Sequence, residues 1–171
     1  MDAPASNRRR GREWALQMLV QADLNPFADV EMILKHFWEQ QWSCKQEADG
    51  KNDDDMDDLA RTLAPEERLA TGQLREFTEQ LVRGVQKARE EIDLQIKPYC
   101  LHWTLDRIGV IERCVLRLAF YEIGFLKTPA PVAINEAVDL AKYFANTESG
   151  AFVNGILDRY RHDLERPNSR I

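Results

Sequence analysis

Little in this sequence supports catalysis, redox chemistry or a membrane span. Only three cysteines occur, Cys44, Cys100 and Cys114, odd in number and widely spaced, so free buried thiols are expected rather than a disulfide framework. The histidines, His36, His102 and His162, lie far apart, and no CxxC or HExxH pattern occurs. His102 follows closely on Cys100, but a pair of ligands does not make a metal site. A phosphate-cradling glycine loop and a GxSxG elbow are both missing, so the chain calls for no cofactor and is not expected to be an enzyme. Carboxylates are too abundant for any one pair to carry information. No apolar run approaches the ~18 residues of a membrane span. The start of the chain is polar and basic, unlike a secretory signal, and the expected location is the cytoplasm. Sustained strand alternation is absent too, which leaves helices.

Helical spacing is present throughout. The chain has 171 residues, 44% of them hydrophobic, enough for one domain with a sizeable core. A first helix is expected over 8–24, capped by Ser6 or Asn7, stopped by Asn25-Pro26, and burying Ala15, Met18, Leu19 and Ala22. A second fits 29–42, with Val30, Ile33, Leu34, Phe37, Trp38 and Trp42 inward. A third fits 71–97, where Gly84 suits a close approach of two helices. The segment 110–125 is so apolar that its helix should be central. Pro131 suits the first turn of a helix ending near Phe144, and a last helix should start at 147–149 and run toward Pro167.

Between the second and third helices, residues 43–71 read as an acidic loop. Within it, residues 45–68 hold nine acidic and four basic residues, which accounts for −5 of the net charge of −6. Its DDDMDD run fails as an EF-hand, because Asp58 and Ala64 stand where glycine and glutamate are required. With that stretch set aside the chain is near neutral, and Arg8, Arg9, Arg10 and Arg12 stand out as a concentrated positive end. A polyanion senses such a local field, because screening confines it to about 8–10 Å. Cations at a helix start oppose the helix dipole, and a bound phosphate would explain them. A solvated helix start, with Arg12 paired to an acid such as Glu13, is the alternative.

The chain resembles the NusB transcription antitermination family in five segments taken in order. They are Arg8 to Asn25, the KPY of Lys97 to Tyr99, IERCVLRLAFYEI from Ile111, VAINEAVDLAKYF from Val132 and FVNGILD from Phe152. The resemblance implies an all-α fold of six or seven helices in two crosswise bundles, forming a single RNA-binding domain. It also implies binding of boxA-type single-stranded RNA from ribosomal RNA leaders, together with the small-subunit ribosomal protein NusE. That assembly acts on RNA polymerase to suppress termination.

Carried onto this sequence, the resemblance gives phosphate contacts to Arg8, Arg9, Arg10 and Arg12. It gives base stacking to Tyr99 beside Lys97, and a further RNA surface to Lys142, Phe144, Glu148 and Phe152, where burial of Phe152 between the last two helices is the alternative. Asn135 and Glu136 are expected to fix helix packing. Glu112, with Val20 and Leu24, is the expected NusE face, although Val20 stands where an aromatic residue is common in the family. The resemblance does not cover the acidic segment. A homodimer through the RNA face stays open. Other readings are a NusB-like accessory to a separate rRNA methyltransferase and a protein-interaction module without RNA contact.

Overall fold

The computed structural model describes residues 3–49, 65–101 and 104–166, and side chains for 7–41, 72–101 and 104–166. Among the described residues there are seven α-helices, two 3-10 turns and no strand. In chain order the helices are α1 (Ala3–Leu24), α2 (Val30–Asp49), α3 (Pro65–Lys87), α4 (Arg89–Ile96), α5 (Val110–Gly124), α6 (Ala130–Phe144) and α7 (Thr147–Glu165). The 3-10 turns, Lys97–Tyr99 and Leu105–Arg107, lie between α4 and α5. The all-α expectation holds. None of these helices is long and apolar enough to cross a membrane.

The chain divides into two compact units, Met1–Gln80 and Leu81–Ile171, with α3 running out of the first into the second. In the first unit α1 buries Ala15, Leu16, Met18, Leu19 and Ala22, and α2 buries Ile33, Leu34 and Phe37. Val30 and Trp38, expected inward, are only half-buried, and the side chain of Trp42 lies outside the described residues. Gly11, set among the arginines, is where α3 comes close. A Cβ there would stand 2.8 Å from Phe77 Cδ1 and 3.1 Å from Thr78 Oγ1. The buried Thr78 hydroxyl donates to the Leu74 carbonyl at 2.7 Å, which keeps it satisfied within α3.

In the second unit α5 is the central helix, as its composition requires. Cys114, Val115, Leu116, Leu118, Ala119, Phe120 and Ile123 are all buried. So is Arg117, whose guanidinium forks onto Asp93 of α4 at 2.7 and 3.0 Å. A bidentate partner is what lets a charge sit inside. The expected close approach at Gly84 is realised by the Tyr121 ring, which occupies the place a Cβ would take. Helices α6 and α7 close the unit with Ala133, Ala137, Leu140 and Ala141 on one and Val153, Ile156, Leu157 and Tyr160 on the other. The side chain of Asn146 caps α7 by accepting from the Ser149 amide at 2.9 Å.

Three boundaries differ from those expected. Helix α1 starts at Ala3, so Ser6 and Asn7 lie inside it rather than at its N-terminus. The long helix expected over 71–97 is interrupted at Ala88, with φ −97° and ψ 12°. The acidic loop expected over 43–71 is helical at both ends. Residues to Asp49 continue α2, and α3 opens at Pro65. Lys, Gln, Glu and Ala at 45–48 form helix without an apolar stripe, and Pro65 before Glu66 and Glu67 is a helix start. Residues 50–64, with the DDDMDD run, lie outside the described residues, as does Pro167.

Candidate nucleic-acid interface

In the first unit the arginines are arranged on aromatic rings. Arg8 lies over Phe77 at 5.6 Å and Arg10 over Trp14 at 5.2 Å. Trp14 meets Phe37 and Trp38 edge-on at 6.1 and 5.4 Å, and Arg75 of α3 covers Trp38 at 5.3 Å. A guanidinium stacked on a ring keeps its N–H donors in its own plane, directed outward. Arg8, Arg9 and Arg10 are exposed. Arg9 also pairs with Glu13 at 3.6 Å, the acid that the alternative reading gives to Arg12. Because α1 begins at Ala3, these arginines stand beyond its first turn, where opposition from the helix dipole has largely faded.

Arg12 is different. Only 4% of it is exposed, and its guanidinium lies over the Phe77 ring at 5.5 Å. Where an outward phosphate contact is expected, the structure places Arg12 inward, packed between α1 and α3. Val20 is half-buried, while Leu24 is 70% exposed at the end of α1.

In the second unit the expected site residues divide in the same way. Tyr99 is 9% exposed, with its ring against Phe120 and Tyr160 at 6.0 and 5.7 Å. Its hydroxyl donates to Asp163 Oδ2 at 2.9 Å, which ties the KPY turn to α7 and leaves little ring face outward for the expected base stacking. Lys97, at the head of that turn, is exposed. Lys142 is exposed as well, and its stem crosses Gly150 so closely that a Cβ there would stand 2.5 Å from Lys142 Cγ. Phe144 is half-buried and meets Tyr143 edge-on at 5.0 Å. Tyr143, 75% exposed, offers more ring surface than Phe144 and was not singled out from the sequence.

Glu148 is exposed in the first turn of α7. Phe152 is half-buried and lines a pocket of about 330 Å³ with Tyr99, Cys100 and Arg159. Glu112 accepts a hydrogen bond from the Ser149 hydroxyl, which links α5 to α7 and leaves only part of its carboxylate outward. Asn135 is exposed, and Glu136 is half-buried.

Among the described cysteines, Cys114 is buried and Cys100 half-buried, and neither is in a disulfide; the side chain of Cys44 lies outside the described residues. Burial raises the Cys100 thiol above its ordinary value of 9.0, with the nearby Arg159 partly opposing it. Burial likewise raises Tyr160 above 10.0. Among the described residues no group of three or more His, Cys, Asp or Glu is placed to hold a metal ion.

Fold and surface together define an all-helical protein with an aromatic-backed cationic surface on its N-terminal unit. The NusB family model matches residues 9–162, and the chain belongs to the NusB family. It is 38% identical to the transcription antitermination protein NusB of Myxococcus xanthus over 161 residues, 94% of this chain and 98% of that one. Among solved structures it is similar to NusB of T. maritima, with TM-score 0.66 and 32% identity, covering 93% of this chain and 91% of that one. A NusB chain from a complex of antitermination factors NusB and NusE with dsRNA gives TM-score 0.65 and 28% identity, over 90% of this chain and 95% of that one.

Proposed function

We propose that this chain is a non-catalytic transcription antitermination factor. In this reading it binds boxA-type single-stranded RNA of ribosomal RNA leaders together with NusE, and helps RNA polymerase resist termination. The observation that carries the reading is the exposed trio Arg8, Arg9 and Arg10, with Arg8 and Arg10 held on aromatic rings, in a chain of this family. Ring-backed guanidinium groups keep phosphate-binding geometry at reduced entropic cost. Support for RNA and NusE as partners comes from the similarity to a NusB chain solved with NusE and dsRNA.

The whole chain acts as one RNA-binding module. Arg8, Arg9 and Arg10 hold the strand by its phosphates, and Lys97 and Lys142 add charge on the second unit. The half-buried Phe144 and Phe152 supply aromatic surface for stacking, and Glu148 meets donor groups. Arg12 and Tyr99 act from beneath, by packing. Leu24, Val20 and the outward part of Glu112 face NusE.

Equilibrium binding to a boxA-like single strand and to its duplex, with and without NusE and at two salt concentrations, tests this function. Salt-sensitive binding of the single strand, tightened by NusE, is expected. No measurable affinity with or without NusE would contradict it.

A further inference from the structure

The first unit carries a groove of about 720 Å³ between the start of α1 and one face of α3, beside the arginine trio. Asn7 and Arg8 form one wall, and Gln73, Glu76, Phe77 and Gln80 form the other. The α3 residues recur at helical spacing, so they make one continuous face of alternating amide and carboxylate groups. Among the described residues, Asn7, Gln73, Glu76 and Gln80 have no side-chain hydrogen bond or ion pair within the chain. Gln73, Glu76 and Gln80 are exposed, so they contribute little to the core. The floor includes Phe77, covered by Arg8.

A groove of this composition is a poor place for a phosphate, because Glu76 would repel it. Its chemistry suits a base edge. Primary amides offer a donor and an acceptor together, and a carboxylate accepts from an amino N–H. With Arg8 at its rim to hold the backbone, the groove has a cation for the strand and neutral or anionic acceptors for the base. Tyr99, the expected base contact, is buried and hydrogen-bonded elsewhere, which leaves base reading to surfaces of this kind.

We infer that this groove is a nucleobase-reading subsite that selects bases carrying an exocyclic amino group, against uracil. The inference rests on the RNA-binding function proposed above. It assigns Gln73, Glu76 and Gln80 as specificity residues and separates them from the arginines, which supply affinity without sequence preference.

The test compares a mixed-sequence boxA-like strand with an oligouridylate of equal length, using the full chain and a Gln73→Ala/Glu76→Ala/Gln80→Ala variant. All three positions are exposed on a helix and alanine favours helix, so far-ultraviolet circular dichroism and melting should match the parent. The parent should prefer the mixed strand, and the variant should lose about tenfold of that preference while keeping the same salt slope. A preference unchanged in the variant overturns the groove assignment alone. Failure of the parent to bind either strand overturns the functional reading and the groove together. Loss of affinity for both strands in equal proportion, with a flatter salt slope, shows the groove to be a backbone contact and also overturns the assignment.

Discussion

The two units treat charge and aromatic surface in opposite ways. In the first, Arg8 and Arg10 lie over Phe77 and Trp14, so the rings are covered and the cations face water. In the second, Tyr99, Phe120 and Tyr160 form a packed ring cluster, while Lys97 and Lys142 are exposed. The difference separates tasks. Guanidinium groups resting over rings have less freedom to lose to a ligand than exposed lysines on flexible stems. In the proposed reading the first unit is therefore the stronger source of backbone affinity.

The second unit is most sensitive at its internal ion pair. Arg117→Ala leaves Asp93 half-buried without its bidentate partner and should cost about 3–5 kcal/mol, read as a lower midpoint in urea unfolding. An effect under about 1 kcal/mol would show that water takes over the carboxylate. Next is Tyr99. Truncation to Ala should cost about 3 kcal/mol, but Tyr99→Phe removes only the bond to Asp163 and should cost about 1 kcal/mol. RNA affinity of Tyr99→Phe should match the parent within about twofold. A tenfold loss in that variant would return the hydroxyl to the RNA surface.

The smallest effect is the pH response of the second unit. Burial raises the folded pKa values of Cys100 and Tyr160 above 9.0 and 10.0, their ordinary values. Both groups therefore favour the folded state while protonated. Their contribution is complete below the unfolded pKa values and is lost as pH rises through the folded ones. Thermal melts should be flat from this cause at neutral pH and decline in the alkaline range. Alkylation of Cys100 at pH 7 should be slower than that of an exposed thiol.

Much of this was legible in the chain before its structure. Periodicity located α1, α2, α3, α5, α6 and α7, and the Gly84 contact was readable because a glycine inside an apolar helix has few other uses. The ends of α2 and α3 were not, because residues 43–49 and 65–71 form helix without the apolar stripe that pattern reading depends on. Arg8, Arg9 and Arg10 were read correctly as exposed cations. The burial of Arg12 was not, since it depends on Phe77, far along the chain, and Tyr99 likewise depends on Asp163 of the last helix. Long-range partners of that kind leave no local signal. Arg75 and the polar face of α3 were missed because a charged or amide residue on a helix looks solvated until a neighbouring helix makes a wall opposite it.

The central claim is that Arg8, Arg9 and Arg10 hold an RNA backbone. Its most direct test is the affinity of the parent and of Arg8→Ala/Arg9→Ala/Arg10→Ala for a boxA-like single strand, measured from about 50 to about 200 mM salt. The variant should bind at least tenfold more weakly at the lowest salt. Its plot of log affinity against log salt should be shallower by about 2, close to ~0.7 per lost phosphate contact, with unchanged thermal stability. An unchanged slope would contradict the account and place the RNA on another surface.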